Sequence, residues 1–362
     1  LLAPGFADTP ERLRAAIDLA RITMPYLPLI SIVALWAAIA NAHDHFKAGA
    51  AAPIIANICF IAGALLIPLI SSQMGMMRAV PVAVALLVAG LAQLGFLYWT
   101  LARIDAVPAL VWPRLSDAGR KMWRNFLPAA AGAGGMQINF LIDLILASLL
   151  PVGAISWLYY ADRVAQLPLG IVGIALGTAL LPRLSAAEAG SRPAEVLDSL
   201  AEAVGLAGFL VIPAVAGLVL CGLSIMQGLF VYGAFDESDA QMAALALTAY
   251  GCGLPGFVMV KILQTAFYAA GQPGIVLKVS LTTVAINVAG SLLLMPILGH
   301  VGLALATAIS GTAAATIMVV LLARQNLVSV AFLPGLGKII LATAVMGAAV
   351  MSLQYGLDHF LH

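Results

Sequence analysis

Charge is what this sequence has least of. Only 9% of its 362 residues are charged, against 63% hydrophobic, and its mean hydropathy is +1.06. Soluble domains carry about 25% charged residues, so the composition excludes a water-soluble globular protein. The few charges nearly cancel: 17 Lys and Arg against 16 Asp and Glu leave a net +1. That balance gives no electrostatic footprint for nucleic acid. Cysteine is scarce as well. Cys59, Cys221 and Cys252 are scattered through apolar stretches and odd in number, which argues against a disulfide framework. Neither an initiator Met nor a signal-peptide pattern stands at Leu1-Leu-Ala-Pro-Gly-Phe6. The expectation is a chain cut inside a longer one.

Long apolar runs fill the sequence instead. A bilayer core of about 30 Å needs roughly 20 apolar residues per helix. Ten such segments are expected, at 19–41, 50–71, 76–101, 125–150, 154–181, 199–230, 241–270, 274–297, 300–323 and 336–358. They are too long and too uniformly apolar for the alternating strands of a membrane barrel. The fold class is therefore an all-α polytopic membrane protein. Pro68, Pro168, Pro213 and Pro255 fall inside segments, which membrane helices tolerate.

Loop charges orient the chain. With loops alternating across the membrane, one side collects Lys47, Arg103, Arg114, Arg120, Lys121, Arg124, Arg183, Arg192, Lys278, Arg324 and Lys338, eleven in all. The other has four, Arg12, Arg14, Arg21 and Arg78, beside the acidic Asp236, Glu237 and Asp239. The positive-inside rule makes the first side cytoplasmic and places residues 1–18 in the periplasm. A chain starting in the cytoplasm would already have crossed an odd number of times. An internal repeat agrees. Asn57 follows Pro25 by 32 residues, and Asn287 follows Pro255 by the same 32. If helices 1, 2 and 3 match helices 7, 8 and 9, three helices are missing from the front. Two such repeats would be related by an axis along the membrane normal.

The run Trp157-Leu-Tyr-Tyr-Ala-Asp-Arg-Val-Ala-Gln-Leu-Pro-Leu-Gly170, continuing to Leu-Pro-Arg-Leu-Ser185, resembles the signature stretch of the MurJ/MviN family. So do Ala3-Pro-Gly-Phe-Ala-Asp8, the Pro25-Tyr segment ending at Asn41, and Leu254-Pro-Gly-Phe-Val-Met-Val-Lys261 through Ala266-Phe-Tyr268. The resemblance spans the whole chain in the family's order, as helices four to thirteen of fourteen. It implies a two-lobe exporter fold of six plus six helices around a central cavity, with extra C-terminal helices. Residues 1–101 would be the rest of the N-terminal lobe, 102–124 a cytoplasmic interlobe loop, 125–323 the C-terminal lobe and 324–362 an extra helix. It also implies a lipid II flippase of the bacterial inner membrane, serving peptidoglycan synthesis. Its partners would be lipid II, membrane lipids and other cell-wall synthesis proteins. The alternatives are an exporter of another polyprenyl-linked glycan or of drugs, and an inactive truncated form.

Ionisable groups inside a membrane are functional by default, because a charge in hydrocarbon must face a cavity or a partner. Through the Ala-Asp-Arg match, the family's cavity arginine carries over to Arg163. Its guanidinium is a planar fork suited to phosphate oxygens, and adjacent Asp162 joins it in the substrate site. The competing reading is a snorkelling arginine or an Asp162–Arg163 ion pair. Lys261 is too deep to snorkel: it is either a second cavity cation or a structural partner of a carboxylate or freed carbonyls. Gln166 stands where many relatives carry a glutamate, which weakens any proton relay there.

Asp143, Asn287 and Thr307, with Ser291 one turn beyond Asn287, offer oxygens at similar depth. They would bind Na⁺ or simply bond one helix to another. No other cofactor is expected, and no metal. His43-Asp44-His45 reads as a solvated loop, and Gly132, Gly134 and Gly135 as close helix packing. Arg114 to Arg124, with Trp112 and Trp123, reads as an interfacial loop near anionic lipid. An intramembrane enzyme would need paired acids, a Ser/His arrangement or a metal cluster. Only Asp143 and Asp162 lie deep and no histidine does, so the chain is read as a transporter, not an enzyme.

Overall fold

The computed structural model describes residues 4–6, 9–70, 79–108, 119–120, 140–190, 193–325 and 333–361. Every long element among them is a helix. The chain divides into two compact units, Phe6–Arg120 and Leu1–Gly5 with Lys121–His362.

The first unit holds α1 (Pro10–Thr23), α2 (Tyr26–Ala42), α3 (Phe46–Ile70) and α4 (Val80–Ala102). α1 starts ahead of the first expected segment, 19–41, and overlaps its beginning. Pro10 opens it and Glu11 sits in its first turn, where a fixed φ and a negative charge favour a helix start. Its Arg21–Asp18 ion pair, at 3.4 Å, is exposed. Charge hid this helix from a search for apolar runs. The small core of the unit is Val33, Ala40, Ala48, Ala52, Leu97 and Leu101. Gln93, on α4, crosses to α3 and donates through Nε2 to the Ala52 carbonyl at 2.8 Å.

The second unit contains α5 (140–148), α6 (Ala154–Pro168), α7 (Ala175–Ala189), α8 (Pro193–Phe230), α9 (Glu237–Ala269), α10 (Pro273–Leu298), α11 (His300–Arg324) and α12 (Leu333–Leu361). The first part of the expected segment 125–150, the glycines at 132–135 and most of the 102–124 loop lie outside the described residues. The expected single helix 154–181 differs in two ways. It runs on to Ala189, and a π-helical turn at Leu169–Ile174 separates α6 from α7. Pro168 explains the interruption, since it has no N–H for the carbonyl four residues back and the ladder must re-pair. α8 starts at Pro193, ahead of the expected 199. Its first turn is charged, with Glu195, and apolarity alone does not register it.

α9 is the hub of this unit, packing on α11, α8, α6 and α7. Asp236 caps it: one carboxylate oxygen accepts from the Ser238 and Asp239 amides at 2.9 and 3.0 Å. Asp239 returns the favour, accepting from the Asp236 amide at 3.2 Å, which completes a capping box. The Asp239 backbone bond, then the Ser238 hydroxyl, hold the exposed Asp236 carboxyl below the ordinary aspartate range. Deeper in, α9 and α11 meet through glycines. A Cβ on Gly256 would lie 2.8 Å from Thr312 Cα, and one on Gly311 2.2 Å from Phe257 Cε1. Small residues let membrane helices approach this closely, where no hydrophobic force drives them together.

Several hydroxyls inside these helices are satisfied locally. Thr248, Thr265, Thr283 and Thr312 each donate to the carbonyl four residues back. Outward faces are apolar: Ile297 is 78% exposed and Leu293 72%, which is tolerable only against acyl chains.

Candidate functional site

The second unit brings together most of the residues singled out from sequence, in two groups on neighbouring helices. The first is on α6. Side chains one residue apart on a helix diverge, while those four apart meet. Asp162 accordingly pairs with Gln166, whose Nε2 donates to its carboxylate, and it is half-buried. Arg163 pairs the other way, its guanidinium carbon 4.9 Å from the centre of the Tyr159 ring. The arginine is exposed and makes no ion pair among the described residues. The expected alternative of an Asp162–Arg163 ion pair is thus not what forms. Two i,i+4 pairings splay the charges and leave the guanidinium edge open.

Aromatic packing fixes this stretch of α6. Tyr160 stacks near Phe230, with centroids 4.6 Å apart, and meets Phe235 edge-on at 5.2 Å. Trp157 donates its indole N–H to Asp239 at 2.6 Å, tying the start of α6 to the capped start of α9. His300, at the head of α11, contributes a ring nitrogen 2.9 Å from the Met242 carbonyl and lies 5.0 Å from the Trp157 ring.

Lys261, on α9, is half-buried. Its stem runs along the π turn, where a Cβ on Gly173 would be 3.5 Å from Lys261 Cγ. No carboxylate pairs with it among the described residues. Its own carbonyl accepts from Thr265 at 2.9 Å.

The second group is a buried knot of oxygens between α5, α10 and α11. Asn287 and Ser291 are wholly inaccessible, at 0% exposure. Asn287 Nδ2 donates to Thr307 Oγ1 at 3.0 Å. That hydroxyl donates to the Leu303 carbonyl at 3.1 Å and lies near the Asp143 carboxylate. Three buried oxygens of this group have no hydrogen-bond partner among the described residues: Asp143 Oδ1, Asn287 Oδ1 and Ser291 Oγ. Each unpartnered buried polar atom costs about 1–3 kcal/mol, and native structures leave few of them. Three in one place fit a ligand that supplies positive charge. One carboxylate among neutral hard oxygens suits a monovalent cation such as Na⁺ better than a soft transition metal. No group of three or more His, Cys, Asp or Glu converges among the described residues.

Sequence reasoning missed Tyr250. It sits on α9, half-buried against the core. A lone tyrosine in an apolar run gives no sign of which face it occupies. His300 and Asp239 were missed too, since both lie at helix starts away from the deep positions where charge is expected to matter.

The family model of the lipid II flippase MurJ matches residues 1–361. A probable lipid II flippase MurJ of Rhizobium tropici is 33% identical over 363 residues, covering all of this chain and 68% of that protein. The Rickettsia prowazekii relative is 33% identical over 311 residues, covering 85% of this chain and 60% of its own length. The chain thus spans about 60–68% of these two relatives. Among solved structures, a lipid II flippase MurJ in an inward closed conformation superposes with a TM-score of 0.77 at 21% identity, covering 97% of this chain and 76% of that one. An inward-facing multidrug transporter of the MATE family gives 0.69 at 15% identity, covering 94% and 75%. These two show the shared fold. Eight described helices are long and apolar enough to cross a membrane, and with such relatives the chain is a multi-pass protein of the bacterial inner membrane. By the match along its whole length, the chain belongs to the lipid II flippase MurJ family.

Proposed function

We propose that this chain is the pyrophosphate-handling part of a lipid II flippase, which carries the lipid-linked peptidoglycan precursor from the cytoplasmic to the periplasmic leaflet by alternating access. The observation that carries this reading is the open guanidinium of Arg163. It is stacked on Tyr159 and kept apart from Asp162, which Gln166 engages instead. An arginine so presented can take two phosphate oxygens at once through its planar fork. Asp162 then serves beside the phosphates as a balancing charge, close but not blocking. Lys261 adds a second cation, its stem laid along the π turn. Lipid II and the surrounding membrane lipids are the partners this reading requires, together with the enzymes that make and use the precursor. The protein transports and does not catalyse. A drug-exporter reading rests on shared fold alone, at 15% identity.

Ion coupling belongs to the same proposal. Na⁺ bound among Asp143, Asn287, Ser291 and Thr307 would supply a positive charge against the buried carboxylate. The chain's own residues do the rest: Asn287 ties α10 to α11 through Thr307, and α11 packs on α9.

The test is lipid II exposure on the outer face of cells depleted of their own flippase and expressing the protein from its native gene. Wild-type protein is expected to restore exposure. Arg163→Ala is expected to reduce it to the depleted level while the protein inserts at normal abundance. Normal exposure and growth with Arg163→Ala would overturn the reading.

A further inference from the structure

Arg163 is a long side chain in an exposed position, and what steadies it is a set of rings behind it. Its guanidinium carbon sits 4.9 Å from the centre of the Tyr159 ring, one turn earlier on α6. That ring has its own support. Tyr160 meets it edge-on, with centroids 5.8 Å apart and planes at 78°. Tyr160 in turn packs on Phe230, the last residue of α8, at 4.6 Å, and on Phe235 at 5.2 Å. Phe235 stands next to Asp236, the cap of α9. Four rings from α6, the end of α8 and the turn into α9 therefore back a single cation. The Trp157–Asp239 hydrogen bond, at 2.6 Å, pins the same end of α6 to α9.

Tyr159 is 50% exposed, so burial in the core is not the main use of its ring. An aromatic face attracts a guanidinium through its quadrupole, and this attraction leaves the N–H fork free for phosphate oxygens. A loose arginine gives up rotamer freedom when it takes an anion. One already held on a braced ring has given up part of that freedom beforehand, and the anion binds more tightly for it.

We propose that Tyr159 is a positioning residue for phosphate binding. Stacked on Arg163 and braced through Tyr160 against Phe230 and Phe235, it presents the guanidinium in one orientation before the lipid-linked pyrophosphate arrives. It does not touch the phosphates. Its loss weakens binding while the charge stays in place. The inference rests on the lipid pyrophosphate reading of Arg163 given above.

The experiment measures farnesyl pyrophosphate binding to the protein expressed from its native gene and held in nanodiscs. Tyr159→Leu is expected to weaken binding about 5-fold, the effect of leaving one rotamer-rich side chain to be ordered on binding. Its unfolding temperature should stay at the wild-type value. Tyr159→Met, equally without a ring, reads the same step independently. Tyr159→Phe keeps the ring and should bind within about 2-fold of wild type. In an Arg163→Lys background the Tyr159→Leu step should shrink to less than about 2-fold, because an ammonium is a point charge with no plane to orient.

Wild-type affinity in both ringless variants would overturn the positioning role. So would a fall in Tyr159→Phe as large as in Tyr159→Leu, which would put the hydroxyl on the substrate itself. A step that keeps its full size beside Arg163→Lys would mark packing, not positioning, and sink the proposal as well. Each of these outcomes leaves Arg163 as the phosphate ligand, provided Arg163→Ala loses binding. Wild-type affinity in Arg163→Ala would remove the phosphate reading and this inference together.

Discussion

Replacing Asn287 by leucine, which has nearly the same shape, tests whether the oxygen knot serves a cation or merely holds helices together. The structure allows both sides of the change to be worked out. The substitution removes the Asn287–Thr307 hydrogen bond, worth about 1 kcal/mol net. Thr307 keeps its bond to the Leu303 carbonyl, so no new unpartnered donor appears. The substitution also removes an unpartnered amide oxygen in a wholly buried position, relieving about 1–3 kcal/mol. In choline, therefore, Asn287→Leu should be as stable as the wild type or more stable by up to about 2 kcal/mol. In Na⁺ the order reverses. A cation at 100 times its dissociation constant stabilises the wild type by about 2.7 kcal/mol, and the variant loses most of that. Thermal unfolding followed by tryptophan fluorescence, in matched Na⁺ and choline buffers, reads both differences. A variant that is destabilised by about 3 kcal/mol or more in choline would mean that Asn287 is a structural clamp. Equal Na⁺ stabilisation of variant and wild type would refute the cation assignment.

Two further outcomes test the scaffold. Gly311→Ala puts a methyl 2.2 Å from Phe257 Cε1; overpacking of this kind costs about 1–3 kcal/mol, and unfolding of the purified variant should register it. Asp236 gives a pH dependence. Its carboxyl is held below the ordinary range in the folded state, so its stabilising effect is present above the unfolded aspartate pKa of about 3.9 and is lost as pH falls through the lower folded value. The unfolding midpoint of Asp236→Asn, which keeps a capping oxygen, should therefore gain on the wild type between about pH 5 and pH 2; parallel curves would refute this.

The helices were legible wherever apolar runs were long and uncharged, as in α10 and α11, whose ends fall within a residue or two of expectation. They were less so where charge opens a helix, as in α1 and the head of α8. Asp143, Asn287 and Thr307 could be grouped from sequence because few other polar oxygens lie at that depth, and the Asn287–Thr307 bond realises the pairing. The splaying of Asp162 and Arg163 was less accessible, since it depends on which neighbour four residues away each one chooses. Tyr250 was out of reach altogether. Its place against the core follows from α9 being the hub of its unit, a property of packing that a single apolar run does not encode.

The π turn after Pro168 bears on how this stretch of sequence can vary in length. A wide turn holds one more residue than an α-helix would over the same rise, so it marks a place where one residue can be lost without breaking the rod. Each residue of an α-helix advances about 100° around its axis, so losing a residue from a regular turn re-aims everything beyond it. The wide turn absorbs its surplus residue instead, so dropping Gly170 lets the ladder close as ordinary α-helix while α7 keeps its facing and Arg183 stays beside Glu202 on α8, now 3.1 Å away. The same deletion made within α7, ahead of Arg183, would turn that arginine away from its partner. Length and facing are uncoupled at this one place and tied together on either side of it.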